Sequence, residues 1–116
     1  LERIEAKSRD LTGYLIYLVD EMLGEMPYGF TVCTPREPAR RTGHVALVRE
    51  HGASRVAEAL KARGFVPDFR PPDTIRIAPV ALYNGYLDVW RAVRAVREVI
   101  DAGEHERFDS DPPIVP

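Results

Sequence analysis

The feature that most restricts the fold is a short run with period two, TIRIA at residues 74–78, placed directly after the turn residues PPD. Side chains of a strand alternate between faces, so Ile75 and Ile77 point to one side while Thr74, Arg76 and Ala78 point to the other. A strand patterned in this way belongs to a sheet that is buried on one face only. The isoleucines define the buried face, and the opposite face presents a planar, permanently charged guanidinium flanked by small residues. Such a face offers a docking place for an anion.

The rest of the chain supplies a layer to cover the isoleucines. Apolar or small residues at Ile4, Ser8, Leu11, Leu15, Leu18 and Met22 line one side of a long first helix, which Gly24 and the MPYG turn bring to an end. GFTVCT reads as a strand with Phe30 and Val32 on one face and Thr31 and Cys33 on the other. After the proline-bearing basic loop PREPARRTG, the segment HVALVR is β-branched enough to be a buried strand and a neighbour of the first. Ala53, Val56, Ala57 and Leu60, bounded by Gly52 and Gly64, give a short amphipathic helix with Lys61 and Arg63 near its negative dipole end. FVPDFR is strand-like, but Pro67 confines it to a sheet edge or a bulge. A last helix starts near Asn84, carries the stripe Tyr86, Val89, Trp90, Val93, Val96 and Ile100, and closes at Gly103.

The order α-β-β-α-β-β-α with short links predicts an α+β fold: a small antiparallel or mixed sheet of about four strands, with helices on one face. Arg76 stands on the other face. Residues 1–103 are expected to form one domain that begins with the long helix over 1–24, and the aperiodic EHERFDSDPPIVP at 104–116 reads as a proline-rich tail or strap. The chain starts at Leu1 without a methionine, directly in a helical pattern, and is expected to be part of a longer polypeptide.

Composition narrows the function. With 116 residues, 45% hydrophobic content and a formal net charge of −2, the chain can bury a core but has no basic field to attract nucleic acid or an anionic membrane. The single cysteine, Cys33, forms no internal disulfide, and no Cys/His cluster has metal-ligand spacing, which points to a reducing cytoplasm and no metal. No apolar run is long enough to span a membrane, and no signal peptide opens the chain, so a soluble protein is expected.

No nucleophile elbow, Walker loop, HExxH or GxGxxG appears, so no catalytic or cofactor-binding residue is assigned. Cys33 reads as a small core hydrophobe rather than a nucleophile, and His44, His51 and His105 are scattered. Lys7 and Lys61, the only lysines, read as solvated helix surface. Arg36, Arg40 and Arg41 form a solvated or interface loop, with a phosphate clamp as the alternative, while Asp68, Arg70 and Asp73 are placed to pair among themselves around the turn.

Taken together, RTGHVAL and ALKARGFVPDFRPPDTIRIAPVALYNGYLDVWRAV resemble the C-terminal small domain of kynureninase, a fold-type I enzyme dependent on pyridoxal phosphate. The likeness runs from about Arg41 to Gly103, is weak in the first helix, and is most specific in DFRPPDTIRIAPVALYNGYLDVW. The resemblance implies that Arg76 binds the α-carboxylate of the amino-acid substrate, L-kynurenine. It further implies that the full-length enzyme hydrolyses the Cβ–Cγ bond to give anthranilate and L-alanine, in a homodimer in which this domain packs on a large domain and a second subunit. In that family the Schiff-base lysine and the phosphate ligands lie upstream of these residues, and neither Lys7 nor Lys61 matches them. No covalent cofactor, and no catalysis by this domain alone, is therefore expected. The readings kept beside this one are a stand-alone α+β module for small carboxylates and the small domain of another fold-type I enzyme.

Overall fold

Three amphipathic helices cover one face of the sheet that TIRIA calls for. The computed structural model describes residues 2–37, 43–78 and 85–108, with side chains from Ala6 onward at the amino-terminal end. In chain order the elements are α1 (Glu2–Leu23), β1 (Phe30–Val32), β2 (Val45–Arg49), α2 (Ala53–Ala62), β3 (Asp68–Arg70), β4 (Thr74–Ile77), α3 (Tyr86–Asp101) and a 3₁₀ turn at Glu104–Arg107. The strands form one fully antiparallel sheet in the order β1-β2-β4-β3. This is the expected α+β layer pair, and β3 takes an edge, where the absent N–H of the nearby Pro67 costs no ladder bond.

Register sets which residues reach the core. Val45 faces Ile77 across the β2–β4 pair and Leu47 faces Ile75, so the four lie on the helical side, where Phe30 joins them. From the other layer come Leu11, Leu15, Val19 and Leu23 of α1, Val56 and Leu60 of α2, and Val89, Val93, Val96 and Ile100 of α3, all buried. Each such aliphatic side chain stabilises the fold by about 1.5–3 kcal/mol relative to an exposed one. The apolar face of α1 is wider than the four-three stripe predicts, because Ile16 and Val19 are buried beside Leu15 and Leu18 while Met22 is only partly covered. Ile4 and Asn84 lie outside the described side chains.

Local chemistry fixes the joints between layers. The chain passes from β2 into α2 through Gly52, at φ 74°, a left-handed conformation that a Cβ would penalise. At the far end of α2, Gly64 (φ 93°) donates its N–H to the Lys61 carbonyl at 3.0 Å, and Phe65 donates to the Leu60 carbonyl at 3.0 Å. This is the Schellman pattern, and Phe65 packs beside Leu60 as its apolar partner. Tyr28, in the turn between α1 and β1, donates its hydroxyl to Asp101 Oδ1 at 2.6 Å, tying that turn to the end of α3.

Two expectations need correction. Cys33 is exposed, not a core hydrophobe, because it follows β1 in the same alternation as Thr31 and so falls on the face away from the helices. Tyr86 belongs to the helical stripe by spacing but is 52% exposed; it sits in the first turn of α3 and meets the ring of Tyr14 edge-on, at 5.2 Å between centroids. Among the described residues no helix is long and apolar enough to cross a membrane.

Candidate functional site

The open sheet face is built from alternate residues of four strands. Its central row pairs Ala46 of β2 with Arg76 of β4 and Arg76 with Asp68 of β3, and the Cys33 N–H, donating to the Ala46 carbonyl at 2.9 Å, continues the row beyond β1. A second row runs Thr31, Val48, Thr74, Arg70. Arg76 thus stands between small or β-branched side chains toward β1 and β2 and the charged pair Asp68 and Arg70 on β3. Its own neighbours on β4, Ile75 and Ile77, are 1% and 4% exposed on the opposite side, as the alternation predicts.

One carboxylate oxygen organises the cations here. Arg76 donates from Nη2 to Asp68 Oδ2 at 2.7 Å and from Nε at 3.2 Å, and Arg70 donates from Nε to the same oxygen at 3.1 Å. Two arginines against one aspartate leave the cluster with a formal charge of +1. The Asp68 contact engages the Nε/Nη2 edge of the Arg76 guanidinium. The Nη1/Nη2 edge, which has the fork spacing of a carboxylate, has no protein acceptor among the described residues.

Arg76 thereby holds the Asp68 carboxyl below the usual carboxylate range, with Arg70 adding to the effect and partial desolvation opposing it. A carboxylate with a lowered folded-state pKa stabilises the fold above its unfolded value, and that contribution disappears as pH falls through the folded value. Carboxyl NMR should therefore show Asp68 titrating below an ordinary aspartate and moving up in Arg76→Gln. The stability difference between wild type and Asp68→Asn should close in acid over the same range.

The other sequence candidates scatter. Arg36 forms a two-bonded pair with Asp20 of α1, Nη2 to Oδ1 at 3.1 Å, so it anchors the loop after β1 to the first helix; Arg40 and Arg41 lie outside the described residues. Lys7 is exposed on α1, and Lys61 is exposed on α2 beside Glu58 at 3.3 Å. Asp73 accepts from the Thr74 hydroxyl at 3.0 Å rather than joining the Asp68 cluster. His44 is half-buried ahead of β2, His51 is exposed in the turn after it, and His105 lies in the 3₁₀ turn. Among the described residues no group of three or more His, Cys, Asp and Glu is placed to hold a metal ion.

Asp68 as the partner of Arg76 is the residue that sequence reading missed. Its signal is present in DFRPPDTIR: a hairpin centred on Pro72 sets Asp68 opposite Arg76 and Arg70 opposite Thr74, the observed register.

A four-stranded antiparallel sheet with helices on one face and, among the described residues, an arginine-centred open face on the other defines a small α+β domain. A family model described as the kynureninase C-terminal domain matches residues 4–96. A kynureninase of Geobacillus thermodenitrificans is 37% identical over 115 residues, and one of Bacillus cereus is 40% identical over 116; each comparison covers 99% of this chain and 26% of the relative. A kynureninase of Bacillus anthracis is 39% identical over 116 residues, with the same coverage. The chain belongs to the kynureninase C-terminal domain family, and it spans about a quarter of the length of the curated relatives it matches. The match takes in α1 as well as the motif-bearing segment from β2 to α3.

Proposed function

We propose that this chain is the substrate-carboxylate domain of an enzyme that hydrolyses L-kynurenine to anthranilate and L-alanine. Water adds across the Cβ–Cγ bond: the acyl carbon takes the hydroxyl and becomes the anthranilate carboxylate, while Cβ takes the proton and becomes the alanine methyl. The reading is carried by Arg76, set on the sheet face away from the helices with one guanidinium edge meeting no acceptor among the described residues, in a chain whose relatives are named kynureninases. Arg76 grips the α-carboxylate through two parallel N–H···O bonds, which fixes the orientation of the substrate's Cα.

Pyridoxal phosphate, which the family implies, supplies when bound the electron sink for charge developing next to the cleaved bond. This domain does not hold it. Both lysines sit on helices, on the covered side of the sheet from Arg76, away from the face that would meet the substrate. The cofactor belongs to the remainder of the full-length polypeptide, and residues 1–103 alone turn over no substrate. The open face packs toward that larger domain and a second subunit in a cytoplasmic enzyme, with α1 as the link. The test is product analysis of the full-length protein, loaded with cofactor, on L-kynurenine. Equimolar anthranilate and L-alanine are expected, and release of neither would overturn the reading.

A further inference from the structure

We infer that Asp68 is a positioning residue for substrate recognition: it holds the guanidinium of Arg76 by one edge so that the other edge meets the incoming carboxylate. The inference rests on the carboxylate-gripping reading of Arg76. An arginine side chain has four rotatable bonds before its planar head, and an unrestrained head must be ordered each time a ligand binds. In this domain the ordering is done in advance. Asp68 lies directly across the β3–β4 pair, and its Oδ2 accepts from both Nε and Nη2 of Arg76, at 3.2 and 2.7 Å. Those two donors lie on one edge of the guanidinium, so the contact aims that edge at Asp68 and restrains the head's rotation within its plane. Among the described residues nothing accepts from the Nη1/Nη2 fork, the edge suited to a second carboxylate.

Charge supports the same division of labour. A carboxylate next to a substrate-binding arginine would cancel the attraction for an anion if the two were alone. Arg70 donates to the same Asp68 oxygen at 3.1 Å and restores a net charge of +1 to the cluster, enough to match one substrate carboxylate. Asp68 also has a place in the hairpin that needs no loop to hold it, since its Cα faces that of Arg76 within a ladder. Elements of regular structure hold such second contacts more tightly than loops do.

The test is a mutant cycle in the full-length enzyme with L-kynurenine as the probe. Asp68→Asn keeps the size of the side chain but removes its charge, and its kcat/KM is expected to fall about 10-fold, mainly through a rise in KM. In the Arg76→Ala background the same substitution should cost less than about 2-fold, because no head is left to position. Asp68→Glu, which keeps the charge on a longer arm, should recover part of the loss. Half-exposed Asp68 carries little of the core, and thermal unfolding of each variant separates a folding defect from a kinetic one; should Asp68→Asn fail to fold, Asp68→Glu and its pair with Arg76→Ala carry the cycle. A kcat/KM within about 2-fold of wild type in the folded variant, or an equal loss with and without Arg76, would overturn the inference. If Arg76→Ala itself were to behave as wild type, the parent reading of Arg76 would fail instead, so the two failures are distinct.

Discussion

Arg76→Ala in the full-length, cofactor-loaded enzyme should lower kcat/KM for L-kynurenine by about 30-fold to several thousand-fold, without loss of fold or cofactor. The range follows from truncating one partner of a desolvated, hydrogen-bonded charge pair, which costs about 2–5 kcal/mol. The proposed role gives the loss a particular shape. A substrate whose carboxylate is no longer clamped is both bound less well and misaligned for bond cleavage, so KM should rise and kcat should fall together. Arg76→Lys should recover only part of the activity, since an ammonium retains the charge but lacks two coplanar donors. Steady-state kinetics on both variants, with circular dichroism and cofactor absorbance as controls, reads all of this.

On the other face of the same strand the expected effect is on stability. Ile75 is 1% exposed, lies between Leu47 and Phe69 in the register, and faces the helical layer. Ile75→Ala should lower the unfolding free energy by about 2–5 kcal/mol, as removal of methyl groups from a close-packed core leaves a cavity that neighbours fill only in part. Val66→Ala, at a residue 66% exposed in the loop before β3, should change it by less than about 0.5 kcal/mol. Urea unfolding of the domain with a common slope for the three proteins makes the comparison. Two adjacent residues of β4, Ile75 and Arg76, are thus predicted to fail in different ways, one in folding and one in substrate turnover.

Much of this division was legible in the sequence, and for a physical reason. Period-two alternation is a geometric property of a strand, so TIRIA by itself separates the faces of β4, and Pro67 by itself places its neighbour β3 at an edge. Helix spacing likewise locates α2 between Gly52 and Gly64 and α3 before Gly103. Side-chain exposure was less legible where an element ends. Tyr86 lies at such an end, in the first turn of α3, where the helical pattern continues while the covering layer does not; Cys33 is exposed for a simpler reason, since alternation sets it with Thr31 on the face away from the helices. The Asp68–Arg76 contact went unread for another reason: pairing depends on the centre of the PPD turn, and a shift of one residue would have brought a different side chain opposite Arg76. Arg36 shows the same limit over a longer range, because nothing local connects it to Asp20, sixteen residues away on α1.

The central claim is that Arg76 recognises the substrate's carboxylate, and the most direct measurement changes both partners. Full-length wild type and Arg76→Ala are each assayed with L-kynurenine and with its α-carboxamide, which keeps the amine, the Cβ–Cγ bond and the aromatic ketone but has no carboxylate charge. Wild type should prefer the acid over the amide by at least about 30-fold in kcat/KM, and Arg76→Ala should prefer it by no more than about 3-fold, since the arginine is the source of the discrimination. An equal preference in the two enzymes would show that the carboxylate is held elsewhere and would contradict the account.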